Sequence, residues 1–431
     1  MRILMFGWEF PPHISGGLGT ACFGITKALT AFGHEVIFVI PRLKTNGSIS
    51  HVKFISASDV PEAAQTQSDD DFFHGLDVRV IHSLLSPYLD ENQYTTLFKG
   101  QDFTDSAIEK APKEEKRYHL FETSEHYGAD LISEVMRYGR AAGIIANDQT
   151  FDVIHAHDWM TIFAGLHAKK ISGKPLILHI HSLEFDRSGN HVNQDIVNIE
   201  LLGMSHADHI IAVSHYTKNM IVNRYGIHPD KVTVVHNAVS RAEAIAAYKT
   251  GKKKERKIVL FLGRVTFQKG PDYFIKAAAR VLKEIPEVTF VMAGAGDMTP
   301  RMIELVAELG MGKNFHFTGF LRGMDVERIF SMSDLYVMPS VSEPFGISPL
   351  EAMIYDVPVI LSRQAGVSEI LHHVLKVDFW DVKDMADKII AILKYPALSA
   401  ELVERSREEV KNIRWENAAV DILRIYGSCG G

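Results

Sequence analysis

Short runs of β-branched and aromatic residues alternate along the chain with stretches whose apolar positions recur at helical spacing. In the first half the strand-like runs fall at 3–6, 36–40, 153–155, 176–180, 210–213 and 232–235. In the second half they fall at 258–263, 288–293, 315–317, 335–338 and 357–361. Several are continuously apolar rather than alternating, as expected of strands covered by helices on both faces. Between them lie helical segments such as 272–285, where Phe274, Ala278, Val281 and Ile285 share one stripe. Strands alternating with helices predict a parallel, doubly wound α/β sheet, and the pattern occurs twice. A last helix is expected at 415–426, with Trp415, Ala418, Ala419, Ile422 and Ile425 on one face that must pack on something.

At 431 residues the chain exceeds what one core usually supports, so two domains are expected. The first is read as 1–240, with an irregular insertion at about 45–129 that contains Asp69-Asp70-Asp71. A linker follows at 241–256, around the densest charge run in the chain, and reads as exposed connection rather than a nucleic-acid patch. The second domain is 257–412, and 413–431 forms a terminal helix. A net charge of −7, from 46 Lys+Arg against 53 Asp+Glu, disfavours nucleic acid as a partner. No apolar run is long enough to cross a bilayer, and the opening run at 1–6 is too short for a signal-peptide core. Cys22 and Cys429 supply neither a disulfide framework nor a cysteine metal site. These features predict a cytoplasmic protein.

Four groups of residues carry candidate chemistry. Ser15-Gly16-Gly17-Leu18-Gly19 lies between the first strand and a helix, where paired glycines let a phosphate approach the backbone or only shape a turn. It matches neither a P-loop nor the dinucleotide fingerprint. Arg264 and Lys269 follow the first strand of the second half, at the end where open α/β sheets bind ligands. Both suit phosphate oxygens, and both also suit solvated surface. Glu343-Pro344-Phe345-Gly346-Ile347-Ser348-Pro349-Leu350-Glu351 opens a helix, with Ser348 expected at the N-cap and Glu351 at the capping-box position. Glu343, ahead of that helix, can face a ligand whose phosphate meets the amides of Gly346, Ile347 and Ser348. Finally, His155 with His157, and His179 with His181, form same-face strand pairs, followed in the first case by Asp158. Without a dense ligand motif these are read as core or cleft-lining histidines rather than a metal site. Asp158 and His181, at strand ends, fit sugar binding or general acid–base chemistry.

Taken together, these segments resemble the retaining GT-B glycosyltransferases, and most closely the bacterial and archaeal glycogen (starch) synthases. Glu343 to Glu351 is similar to that family's E-x7-E motif. Gly263-Arg264 with Lys269-Gly270 is similar to its donor-diphosphate pair. Residues 5–12, His157-Asp158-Trp159 and Ile180-His181 look like glycogen synthase segments. Two positions depart from it. Ile14 stands where those synthases carry a lysine, and Gln364-Ala365-Gly366-Val367 replaces their T-G-G-L. Both look more like the wider set of E-x7-E transferases that make sucrose, trehalose, mannosides or cell-wall glycans.

The resemblance implies a GT-B fold of two Rossmann-like domains, with the terminal helix crossing back to the first. It implies transfer of glucose from ADP-glucose or UDP-glucose to the non-reducing end of an α-1,4-glucan, with retention. It assigns the leaving diphosphate to Arg264, Lys269, the amides after Phe345, and Gly16-Gly17. Sugar hydroxyls go to Glu343, the ribose to Glu351, and the base to the neighbourhood of Gly294 and Leu321. The His181 carbonyl would face the cationic sugar, with Asp158 beside it. No cofactor beyond the donor, and no metal, is expected. Another small glycoside or cell-surface glycan product, a nucleotide-sugar epimerase and a nucleotide-sugar sensor are the rival readings.

Overall fold

The computed structural model describes residues 1–11, 16–42, 51–60, 131–189, 191–240 and 256–429. The first sheet is built from β1 (Arg2–Phe6), β2 (Glu35–Ile40), β3 (Lys53–Ser56), β4 (Val153–His157), β5 (Leu176–Ile180), β6 (His209–Ala212) and β7 (Val232–Val234). Its spatial order is β3-β2-β1-β4-β5-β6-β7, and every neighbouring pair is parallel. The second sheet holds β8 (Ile258–Leu262), β9 (Thr289–Ala293), β10 (Phe315–Gly319), β11 (Leu335–Met338), β12 (Val359–Ser362) and β13 (Leu375–Val377). It is ordered β10-β9-β8-β11-β12-β13, again parallel throughout.

Both sheets reverse their winding beside their first strand, between β1 and β4 and between β8 and β11. Those switch points are where doubly wound sheets leave a crevice at the strand carboxyl ends. The strands are buried because helices cover both faces. On the first domain these include α1 (Gly17–Ala31), α2 (Leu131–Asp148), α3 (Ile162–Ser172), α4 (Glu184–Ser188), α5 (Gln194–His206) and α6 (His215–Tyr225). On the second they are α7 (Pro271–Glu284), α8 (Thr299–Glu308), α9 (Met324–Met332), α10 (Ser348–Ile354), α11 (Val382–Lys394) and α12 (Pro396–Val410). In α7, Phe274, Ala278 and Val281 are fully buried at helical spacing, as the apolar stripe requires.

The last helix, α13 (Trp415–Cys429), lies on α1 rather than on the second sheet. Its Trp415 ring sits on the backbone of α1, where a Cβ at Gly24 would come within 2.2 Å of it. Ala419, Ile422 and Tyr426 extend this contact into one core with Ile25, Leu29 and the α1-facing residues of β1 and β2.

Two strands went unread in the sequence. β3 falls inside the stretch read as irregular insertion, and β13 is a three-residue edge strand with a lysine at its centre. The rest of that insertion, apart from 51–60, and nearly all of the 241–256 linker lie outside the described residues. Among the described residues no helix is long and apolar enough to cross a membrane. Cys22 is buried and Cys429 half-buried, both as free thiols.

Candidate functional site

At the switch point of the second sheet, the turn after β8 carries Arg264 and ends in a short 3-10 turn, Phe267–Lys269. Arg264 donates through Nη2 to Gln268 Oε1 at 3.3 Å. The Gln268 carbonyl accepts the Val341 amide at 2.9 Å, which ties this turn to the loop after β11. That loop delivers Glu343, whose carboxylate pairs with the Lys269 ammonium and accepts the Ser340 hydroxyl at 3.3 Å. The Glu343 side chain is only 8% exposed, so the pair is shielded from water and correspondingly strong. An ammonium has three donors. Lys269 can therefore keep Glu343 and still reach a phosphate oxygen.

Backbone bonds fix Glu343 from the other side. Its amide donates to the Gln364 carbonyl at 3.1 Å, and its carbonyl accepts from Gly366 at 2.8 Å. The segment that departs from the family pattern, Gln364 to Val367, thus serves as the backing of the motif. Phe345 is buried, Gly346 turns at φ +96, and Ile347 precedes α10. Gly294 has a tight neighbour: a Cβ there would stand 1.8 Å from the Gly263 carbonyl oxygen, so only glycine lets these two turns touch. Leu321 is partly buried against the core that holds β11 and β12.

The helix start differs from the sequence expectation. Ile347 is the N-cap residue, without a side-chain bond, and Ser348 is already helical. The Ser348 hydroxyl pairs instead with the Tyr336 hydroxyl at 2.8 Å, an aromatic partner that local spacing could not reveal. No capping box forms, and the Glu351 carboxyl makes no hydrogen bond among the described residues. Burial pushes its pKa up to about 7. Such a group gains from hydroxyl donors brought by a ligand.

Across the cleft, Asp158 follows β4 at φ 58, a region that costs a non-glycine residue about 1–3 kcal/mol. This turn aims its carboxylate at the end of β5, where Oδ1 accepts the His181 amide at 2.6 Å and the Ser182 amide at 3.2 Å. Burial raises the Asp158 pKa to about 7, against those two amides and the nearby Arg187 charge. The next segment is pinned by a buried charge network that sequence spacing did not expose. Arg187 donates to Glu184 at 3.1 Å, to Glu200 at 2.8 Å and to the Ser182 carbonyl at 3.1 Å. Glu200 also accepts from the Tyr225 hydroxyl.

The two halves meet beside Glu343. Ser342 Oγ donates to Asp186 Oδ1 at 2.6 Å and lies 2.9 Å from the Tyr216 hydroxyl. Glu369 accepts the amides of His215 and Tyr216 at 2.8 and 2.7 Å, at the start of α6. A carboxylate there is favoured by the helix dipole.

On the first-domain side the expected phosphate loop is only partly described. Gly16 is the N-cap of α1 and Gly17 its first residue, while 12–15, including Ile14, lie outside the described residues. The Gly16 amide donates to Glu9 Oε2 at 3.2 Å, so it is already engaged by a carboxylate.

Comparison with known proteins bears on this arrangement. The starch synthase catalytic domain model matches residues 2–233, and the glycosyl transferases group 1 model matches 244–409. The chain belongs to the starch synthase catalytic domain family. It is a glycosyltransferase of the GT-B fold. Over 99% of its length the chain is 29% identical to an uncharacterized glycosyltransferase of Methanocaldococcus jannaschii, covering 98% of that protein. It is 24% identical, again over 99% of its length, to glycogen synthase of Mycobacterium tuberculosis, covering 94% of that enzyme. Among solved structures, sucrose-phosphate synthase from Thermosynechococcus elongatus superimposes with a TM-score of 0.71 at 18% identity, covering 99% of this chain and 98% of that one. In family terms, Arg264, Lys269, Glu343 and Glu351 gather at one sheet's switch point, and Asp158 and His181 at the other's.

Proposed function

We propose that this glycosyltransferase moves glucose from ADP-glucose or UDP-glucose to the non-reducing end of an α-1,4-glucan, with retention of configuration. The observation that carries this reading is the buried pairing of Lys269 with Glu343 at the end of β8 and β11. The similarity to glycogen synthase over nearly the whole chain supports the choice of glucan. In the proposed reaction the diphosphate leaves with Arg264 and Lys269 neutralising its charge, together with the amides of Gly346, Ile347 and Ser348. Two cations and a helix start make a divalent ion unnecessary for that step. Glu343 accepts sugar hydroxyls, and Asp158 holds the His181 peptide so that its carbonyl faces the cationic sugar. The departing phosphate takes the proton of the acceptor hydroxyl, so no enzyme nucleophile is required. Glu351 receives the ribose, with Gly294 and Leu321 by the base.

The test is nucleotide release from ADP-glucose and from UDP-glucose, each with and without glycogen, in EDTA. Release that depends on glycogen is expected with one of the donors. Silence with both donors would overturn the glucan reading. It would favour the second reading, a small glycoside or cell-surface glycan product, for which Gln364-Ala365-Gly366-Val367 and Ile14 speak. Release without any acceptor would point to another activity on the nucleotide sugar.

A pH dependence follows from Glu351. Its carboxyl is held at about 7 by burial in the unliganded protein. Ribose hydroxyls donate to the ionised form and lower that value, so binding favours proton loss. Nucleotide diphosphate affinity is therefore expected to strengthen as pH rises from 6 to 8, and Glu351→Gln is expected to flatten that slope. An unchanged slope in the variant, measured by calorimetry, would remove Glu351 from the ribose.

A further inference from the structure

The peptide on either side of Glu343 is held by side chains of the opposite domain. Before it, Ser342 Oγ lies 2.6 Å from Asp186 Oδ1 and 2.9 Å from the Tyr216 hydroxyl. After it, the Pro344 carbonyl accepts the Ser214 hydroxyl at 2.5 Å and the Thr217 hydroxyl at 3.4 Å. Ser214, Tyr216 and Thr217 sit at the start of α6, directly after β6, and Asp186 sits on α4, after β5. Both helices begin beyond strand carboxyl ends, so the first sheet presents these side chains to the cleft.

The direction of each bond follows from its protons. Asp186 accepts with both oxygens, Oδ2 from the Leu183 amide at 2.9 Å and Oδ1 from Ser342. A hydroxyl has one proton to give. Ser342 gives its own to Asp186, so the Tyr216 hydroxyl donates to Ser342, and the three form one directed chain across the cleft. Ser214 is the N-cap of α6: it accepts the Thr217 amide at 3.0 Å and directs its proton to Pro344. Gly366 leaves room for this contact, since a Cβ there would stand 2.1 Å from the Pro344 carbonyl oxygen and 2.5 Å from Ser214 Cβ. Glu369, through the two α6 amides it accepts, fixes the same helix start to the second domain.

We propose that Asp186, Tyr216 and Ser214 are positioning residues, which aim the Glu343 carboxylate at the sugar while the two domains are in contact. The inference rests on the reading of Glu343 as the group that accepts sugar hydroxyls. Within its own domain Glu343 is anchored by Gln364, Gly366 and Lys269. The four side-chain bonds at Ser342 and Pro344 come from the other domain and exist only when the domains touch. With the domains apart, the peptide on both sides of the carboxylate loses them. A misplacement of about 1 Å can cost about 100-fold in rate. Binding and alignment are thereby divided: Arg264 and Lys269 meet the diphosphate from one domain, whereas aiming Glu343 takes both.

The test compares full-length wild type with Tyr216→Phe, Ser342→Ala and the double variant. Hydrogen exchange by mass spectrometry reads the amides of Val341, Ser342 and Glu343, which bond to Gln268 and Gln364 inside the second domain. Each single variant should exchange them about 2–10-fold faster, the effect of losing a hydrogen bond, while peptides of the second sheet keep wild-type rates. The double variant should match Ser342→Ala, because the Tyr216 bond is already lost there. In transfer assays kcat should fall by about 10–100-fold with nucleotide diphosphate affinity unchanged, and Ser342→Thr, which keeps the hydroxyl, should recover most of the loss. Unchanged exchange in the folded variants overturns the grip on this loop. Faster exchange with kcat intact overturns the positioning role. Wild type that transfers no glucose overturns the glucan reading but not the grip, which the exchange measures without any sugar.

Discussion

Glu343→Ala is expected to lower kcat by about 10^2–10^3-fold, the loss typical of removing one group that acts on the transition state. Nucleotide diphosphate binding should survive. The carboxylate is the anionic partner of Lys269 in the unliganded cleft, so its removal leaves that ammonium fully available to phosphate. Turnover and binding should therefore separate: kcat falls, while affinity for the free nucleotide diphosphate holds or improves. Glu343→Gln should show the same split with less disturbance to Ser340, which donates to this carboxylate. Steady-state kinetics beside calorimetry reads both quantities on one sample. Full transfer activity in either variant would show that Glu343 does not face the sugar.

The largest effect on stability is expected at Arg187. Its guanidinium is shared between Glu184 and Glu200, two carboxylates that are 1% and 0% exposed. Breaking such a network from one side leaves buried charge uncompensated, at a cost of about 3–5 kcal/mol. Arg187→Met should lower the denaturation midpoint accordingly in guanidinium titrations, and combining it with Glu200→Gln should recover part of the loss. Activity should fall as well, because Arg187 also holds the Ser182 carbonyl, next to His181. A variant as stable as wild type would show that the Arg187 pairing does not carry the stability of this region.

The fold was legible where burial made the strands continuously apolar. β1, β4, β5 and β9 have every residue or nearly every residue buried, and each was found within two residues of its ends. β3 and β13 were missed because edge strands need not be apolar, and β13 carries Lys376 between Leu375 and Val377. At the strand ends, the sequence pattern placed Arg264 and Lys269 in the turn after β8 and Glu343 in the loop after β11, where the structure has them. It failed at Ser348 and Glu351, where a capping box gives way to a bond between Ser348 and Tyr336, twelve residues upstream on β11. It also could not reveal Arg187, Glu200 and Asp186, whose partners come from separate helices or from the other domain. Long-range pairing of polar groups leaves no periodic trace.

The position of α13 has a consequence for how the protein is made. Trp415, Ala419, Ile422 and Tyr426 complete the core around α1, yet they leave the ribosome after every strand of both sheets. During synthesis, domains generally fold as units from the N-terminus onward. Here the first domain's sheet can assemble early, but one side of α1 stays uncovered until α13 has emerged. On the face of the second sheet that α7 and α11 cover, the core draws on nothing beyond α12, so this part can close before the first domain is finished. α1 is thus made before the second domain but covered after it, and a product that stops short of α13 would carry an exposed apolar face on α1.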